Sequence, residues 1–176
     1  MKFTKTLLAA AALATATAVP ASAGHHHNSQ PDIVAAAASN DNFETLVAAV
    51  KAAGLVETLQ GDGPFTVFAP TDRAFAKLPD GTVGALVQPE NRDALTGILT
   101  YHVVAGEFKA ADVLDLVRRH GGSAAIPTVQ GGELIASLSD GELILTDEQG
   151  NRIAVTQTDL DVSNGVIHVI DGVLMP

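Results

Sequence analysis

The chain has no cysteine among its 176 residues, so neither disulfides nor thiolate metal sites hold it together. Cations are also scarce: ten Lys and Arg stand against twenty Asp and Glu, a formal charge of −10. Nucleic-acid binding needs a basic footprint that displaces counterions, and this balance argues against it. It argues equally against plain electrostatic docking on anionic lipid. No apolar run reaches the roughly 18 residues that cross a bilayer. No Gly-x-Ser-x-Gly elbow frames a nucleophilic serine, and no internal repeat divides the chain.

What is present begins with an export signal. Lys2 and Lys5 precede a largely apolar run of 13 residues, Leu7 to Val19, and Ala21-Ser22-Ala23 supplies the small-x-small cleavage pattern. Residues 1–23 therefore read as a cleaved signal peptide and the product as secreted or periplasmic, from a bacterial envelope or its surroundings. Removing 23 of 176 residues leaves 153; with Lys2 and Lys5 gone, eight cations face twenty acids, a formal charge of −12. No cysteine adjoins the cleavage site to carry a lipid, and no integral membrane segment follows. About 150 residues suffice for one domain with its own core.

Residues 24–30 form a polar leader. Cleavage after Ala23 would expose Gly24-His25-His26-His27. A histidine third from a free amine lets the amine, two backbone amides and the imidazole meet in one plane, a geometry that selects Cu(II) or Ni(II). Gly24, His25 and His26 would supply that set; the other reading is a leader or an appended tag with no specific role.

The chain is organised around Phe65–Phe75, FTVFAPTDRAF. Phe65, Val67 and Ala69 share one strand face, Thr66 and Phe68 the other, and bulk on both faces predicts a strand covered on both sides. Pro70 lacks an N–H and ends the ladder. Thr71 is placed to cap a short helix, with Asp72 at its positive end. Before this strand, Asp32 caps a helix through Ala38, and Phe43, Leu46, Val47 and Val50 mark another that ends at Gly54. After it come a short helix over Thr82–Val87, a longer one from Pro89, a strand over Tyr101–Val104 and a helix over Ala110–Arg119.

Beyond Gly122 the period changes to two. Ala125–Val129, Glu133–Leu138, Glu142–Thr146, Arg152–Gln157 and Val166–Ile170 read as strands, separated by glycine-containing turns. The last of these, Asn164-Gly165, suits a turn with positive φ. Helices first and antiparallel strands last predict an α+β domain.

TVFAPTDRAF at Thr66–Phe75, Tyr101-His102 in YHVVAGEF and NGVIHVIDGVLMP at Asn164–Pro176 together resemble the fasciclin (FAS1, beta-Ig-H3) domain family over residues 31–176. The resemblance implies a wedge-shaped β-sandwich with helices packed along one side and the Phe65 strand near its centre. Phe68, Pro70, Thr71, Asp72, Asn164, Gly165 and His168 would be its structural motif residues. It also implies a non-enzymatic role in cell adhesion or in contacts with proteins or glycans at a cell surface or matrix, with weak homo-oligomers as a further option. The alternative is an envelope protein that captures a metal or a small ligand.

Two departures bear on this. Ala105 stands where the family often has proline, which predicts a looser turn at Ala105-Gly106. The run Gln157-Thr158-Asp159-Leu160-Asp161 occupies the place of the vertebrate integrin-contact segment and keeps only its aspartate, with leucine for isoleucine. Asp159, Leu160 and Asp161 are nonetheless the candidate contact loop, together with Tyr101 and His102. His102 and His168 otherwise read as core histidines satisfied by hydrogen bonds, and Leu160 as a residue of the sandwich edge. Asp147-Glu148 reads as a solvated turn pair, outside calcium-loop spacing.

Overall fold

The computed structural model describes residues 30–176; the expected signal peptide and the Gly24–His27 terminus lie outside them. Helices dominate the first half. Asp32 Oδ1 accepts the Ala35 N–H at 2.7 Å and starts α1 (Ile33–Ala38). Helix α2 (Glu44–Ala53) turns Leu46, Ala49 and Val50 inward and closes where Gly54 takes φ +73°, left-handed backbone that glycine adopts without Cβ strain. Then follow α3 (Val56–Leu59), β1 (Phe65–Pro70), α4 (Asp72–Ala76), α5 (Thr82–Leu86), α6 (Arg92–Tyr101), β2 (Val103–Ala105) and α7 (Ala110–Arg119). Five strands complete the chain: β3 (Ser123–Pro127), β4 (Glu133–Ser139), β5 (Glu142–Thr146), β6 (Arg152–Val162) and β7 (Gly165–Ile170).

The strands lie in the order β2-β1-β7-β6-β5-β4-β3. The two ends of that order nearly meet, because the Val129 N–H just after β3 donates to the Val103 carbonyl of β2 at 2.8 Å. Strands β3 to β7 pair antiparallel in sequence, as expected, but β7 also pairs parallel with β1, Phe65 opposite Gly165 through Pro70 opposite Ile170. A two-residue period carries no strand direction, so only the fold reveals this crossover. β1 lies second in the order, flanked on both sides.

Alternation along β1 separates two cores. Val67 and Ala69, with Ile167 and Val169 of β7, pack against Ile33, Leu46 and Leu99 of the helices. Phe68 and Ile170 point the other way, into a core shared with Tyr101, Val113 and Val117 of α7, Leu134 and Leu145. Phe68 has no exposed surface, and truncating it to alanine costs about 3–5 kcal/mol. The architecture is mixed α+β: a nearly closed seven-strand sheet with α1, α2 and α6 along one side.

Several boundaries differ from the sequence reading, and among the strands the differences are largest at three. Tyr101 belongs to α6 and not to a strand, and the strand runs Val103–Ala105; the His102 N–H donates to Ile98 and Leu99 and carries the helix to that point. β3 begins at Ser123, where the ladder to Ser137 starts. β6 continues to Val162 because two register shifts, between Val155 and Leu160, let it keep pairing with β7.

Candidate functional site

The Tyr101-His102 pair lies inside the protein. The Tyr101 hydroxyl donates to the Glu133 carbonyl at 2.9 Å and accepts the Glu148 N–H at 3.2 Å, tying the start of β4 to the turn between β5 and β6. His102 Nδ1–H donates to the Ile98 carbonyl at 2.8 Å, and Nε2 accepts the Leu174 N–H at 3.0 Å. These partners assign a neutral tautomer. Burial pushes the His102 pKa down to about 4 against the pull of the Ile98 carbonyl and the Asp147 charge. As surface contact residues, Tyr101 and His102 are therefore corrected: their side chains are 0% and 2% exposed, and both serve to clamp the C-terminal tail and the turns.

His168 anchors the other candidate segment. It is fully buried, stacks on Phe68 with centroids 5.5 Å apart, and donates from Nε2 to the Phe108 carbonyl at 2.7 Å. Its Nδ1 accepts the Asp159 N–H at 3.3 Å. Desolvation lowers its pKa, with the Phe108 carbonyl and Asp159 acting in the opposite sense.

Asp159 is one of two non-glycine residues with positive φ among the described residues, at +57°, a conformation its short side chain tolerates. It lies on β6 and not in a loop between strands. Its Oδ1 accepts the Ala110 N–H at 2.8 Å and caps α7. Asp161 pairs with Lys109 at 3.0 Å, and that neighbour raises the Lys109 pKa. Leu160 is half-buried and packs against the helix-side core. The turn at Gly106 is pinned too, since Thr66 Oγ1 donates to the Gly106 carbonyl at 2.7 Å and accepts the Phe108 N–H at 2.8 Å. The exposed end of β6 is thus a fixed, outward bulge held from beneath by His168, α7 and Lys109.

The motif residues take structural places. Thr71 Oγ1 accepts the Ala74 N–H and starts α4, while Asp72 reaches across to accept the Thr45 N–H of α2 at 2.8 Å. Asn164 Oδ1 accepts the Ile33 N–H at 3.0 Å, and its Nδ2 donates to the Leu59 and Gly61 carbonyls at 2.7 and 3.1 Å. The expected positive φ at Asn164-Gly165 does not occur. Gly165 is required for a different reason: a Cβ there would overlap the Phe65 carbonyl oxygen of the parallel neighbour, and would sit 2.9 Å from the Phe65 nitrogen.

Asp147 was expected in water and is 4% exposed. Its carboxylate accepts four donors: the Gln149 and Asn151 N–H groups, the Asn151 side-chain amide, and the Met175 N–H at 3.0 Å. Four donors compensate its desolvation. The Asp-x-x-Gly-Asn spelling signals the local part of this turn; the bond to Met175 has no local signature.

Among the described residues, no group of three or more His, Asp or Glu is placed to hold a metal, and no buried side-chain polar atom lacks a partner. Gly24, His25 and His26 fall outside the described residues. An apolar cavity of about 30 Å³ lies beneath α1 and α2, lined by Ile33, Val47, Leu99 and Val103 among others. His102 is its one ionisable wall residue, and both its ring nitrogens are already bonded.

A nearly closed seven-strand sheet with helices along one side is the FAS1 fold. The FAS1 domain pair of the insect cell adhesion molecule Fasciclin I shares it at a TM-score of 0.74 and 20% identity, over 83% of this chain and 51% of that one. The chain belongs to the fasciclin domain family, whose model matches residues 41–176. Protein sll1483 of Synechocystis sp. is 50% identical over 137 residues, 78% of this chain and 69% of that protein. The immunogenic protein MPB70 of Mycobacterium bovis is 36% identical, over 78% of this chain and 65% of its own. The transforming growth factor-beta-induced protein ig-h3 of Sus scrofa is 37% identical, with the match spanning 18% of its length. The family is associated with cell adhesion and surface proteins.

Proposed function

We propose that this chain is a secreted, non-catalytic module that binds a protein or glycan at a cell surface or matrix through the exposed end of β6, Gln157 to Asp161. The observation that carries the reading is the way this bulge is fixed. Asp159 is bonded through its carboxylate to α7 and through its N–H to His168, and Asp161 is bonded to Lys109. A surface segment ordered before contact loses less conformational entropy on binding. Leu160 is committed largely to the core, so the contact rests on the polar and charged residues around it. Membership of a family associated with adhesion supports the same conclusion. Beads coated with the exported protein should attach saturably to cells or extracted matrix, and soluble protein should compete them off. Attachment that soluble protein cannot displace would count against it.

A further inference from the structure

β6 is 11 residues long, yet β5 pairs with only its first three, Arg152 to Ala154. From Val155 onward the strand keeps β7 on one edge, and no strand among the described residues lies on the other. There β5 parts from it and opens a groove of about 320 Å³. Gly141 to Leu143 form one wall, Val155 to Thr158 the opposite wall, and Ala110 and Leu114 of α7 the remainder.

We infer that this groove takes an extended peptide segment of another protein, a strand in which lysine or arginine neighbours an apolar residue. An unpaired strand edge offers a row of backbone N–H and C=O groups, and an added strand satisfies them. Four residues of edge span about 13 Å. Edges that must not recruit a partner usually carry lysine or proline; Val155-Thr156-Gln157-Thr158 has neither, and its valine and threonines favour extended backbone. Leu114, Leu143 and Val155 form the apolar part of the groove, suited to one inserted aliphatic side chain. Glu142 is the one ionised residue in the lining, and the whole chain carries a formal charge of −10. Charge complementarity therefore selects a basic segment over a second copy of this acidic chain.

This assignment rests on the end of β6 being the contact surface, and the test separates the two. Backbone amide NMR of the exported protein is followed during titration with a capped six-residue peptide of alternating lysine and valine. Shifts are expected at Val155–Thr158 and Gly141–Leu143. Methylating alternate peptide nitrogens, replacing lysine by glutamate, or introducing Glu142→Lys should each weaken binding about tenfold. Leu114→Lys should weaken it as well, because it sets a like charge against the peptide's lysines in the apolar part of the groove. Three results would overturn the inference: no shifts at millimolar peptide, equal binding of the methylated peptide, or concentration-dependent shifts at Val155–Thr158 without peptide, which would give the edge to a second copy. If these occur while beads still attach competitively, strand addition fails and the contact surface stands.

Discussion

Replacing Asn164 with alanine tests how the fold is fastened. The Asn164 amide makes three hydrogen bonds, to Ile33, Leu59 and Gly61, which lie 131, 105 and 103 residues away. Each such bond contributes about 0.5–1.5 kcal/mol net. The residue is half-buried, so water replaces part of what is lost, and the sum comes to about 1–4 kcal/mol. For a chain of this size, 1 kcal/mol moves the melting temperature by about 2–4 °C, which gives a drop of about 2–16 °C. Urea unfolding should show a lower midpoint with an unchanged slope, because the native surface stays the same. Asn164→Asp should be at least as damaging, since it keeps the acceptor for Ile33 but sets a carboxylate against two carbonyl oxygens. An Asn164→Ala protein within about 0.5 kcal/mol of wild type would refute the reasoning.

Three further outcomes are expected. Gly165→Ala should cost about 1–3 kcal/mol or more, because its methyl meets the Phe65 backbone; Gly165→Asn should do no better, and a urea midpoint equal to wild type would exclude the close approach. Stability should fall as pH drops from 6.5 toward 4: the folded His102 pKa, about 4, lies below the unfolded value of 6.5, so the unfolded chain takes up the proton first. The full effect is about 3 kcal/mol, His168 adds to it in the same direction, and His102→Gln should flatten the slope; a midpoint constant between those pH values would contradict a neutral buried ring. We also propose Cu(II) or Ni(II) capture by the mature terminus, in which case deleting residues 24–27 should abolish tight binding while the fold persists, and equal affinity in a calorimetric titration would end the idea.

Local signals in the sequence carried much of the fold. Asp32, Thr71 and Gly54 cap or close the helices they were expected to, and α7 spans the residues its periodicity marked. The direction of the β1–β7 pairing was not legible, because the two strands lie about 100 residues apart and a two-residue period carries no direction. β6 was cut short because its bulges break the two-residue period that defined it. Asn164 read as a turn residue, although its bonds join the first helices to the last strand. The candidate site was partly legible: the place of Asp159-Leu160-Asp161 came from the family resemblance. The cap that Asp159 gives α7 depends on a contact 49 residues away. For that reason Asp159→Ala would disturb a helix start as well as the surface.

The direct test of the contact surface keeps that cap while removing its charge. Asp159→Asn retains an oxygen for the Ala110 N–H and tolerates positive φ. Asp161→Asn gives up only an exposed ion pair, worth about 0–1 kcal/mol. The double variant should unfold within about 1 kcal/mol of wild type. Its competitive attachment to cells or matrix, measured on beads beside wild type and beside Glu90→Arg as a charge change on the helix layer, should fall severalfold while Glu90→Arg attaches normally. Attachment of the double variant equal to wild type would contradict the assignment of the β6 bulge as the surface through which this protein binds.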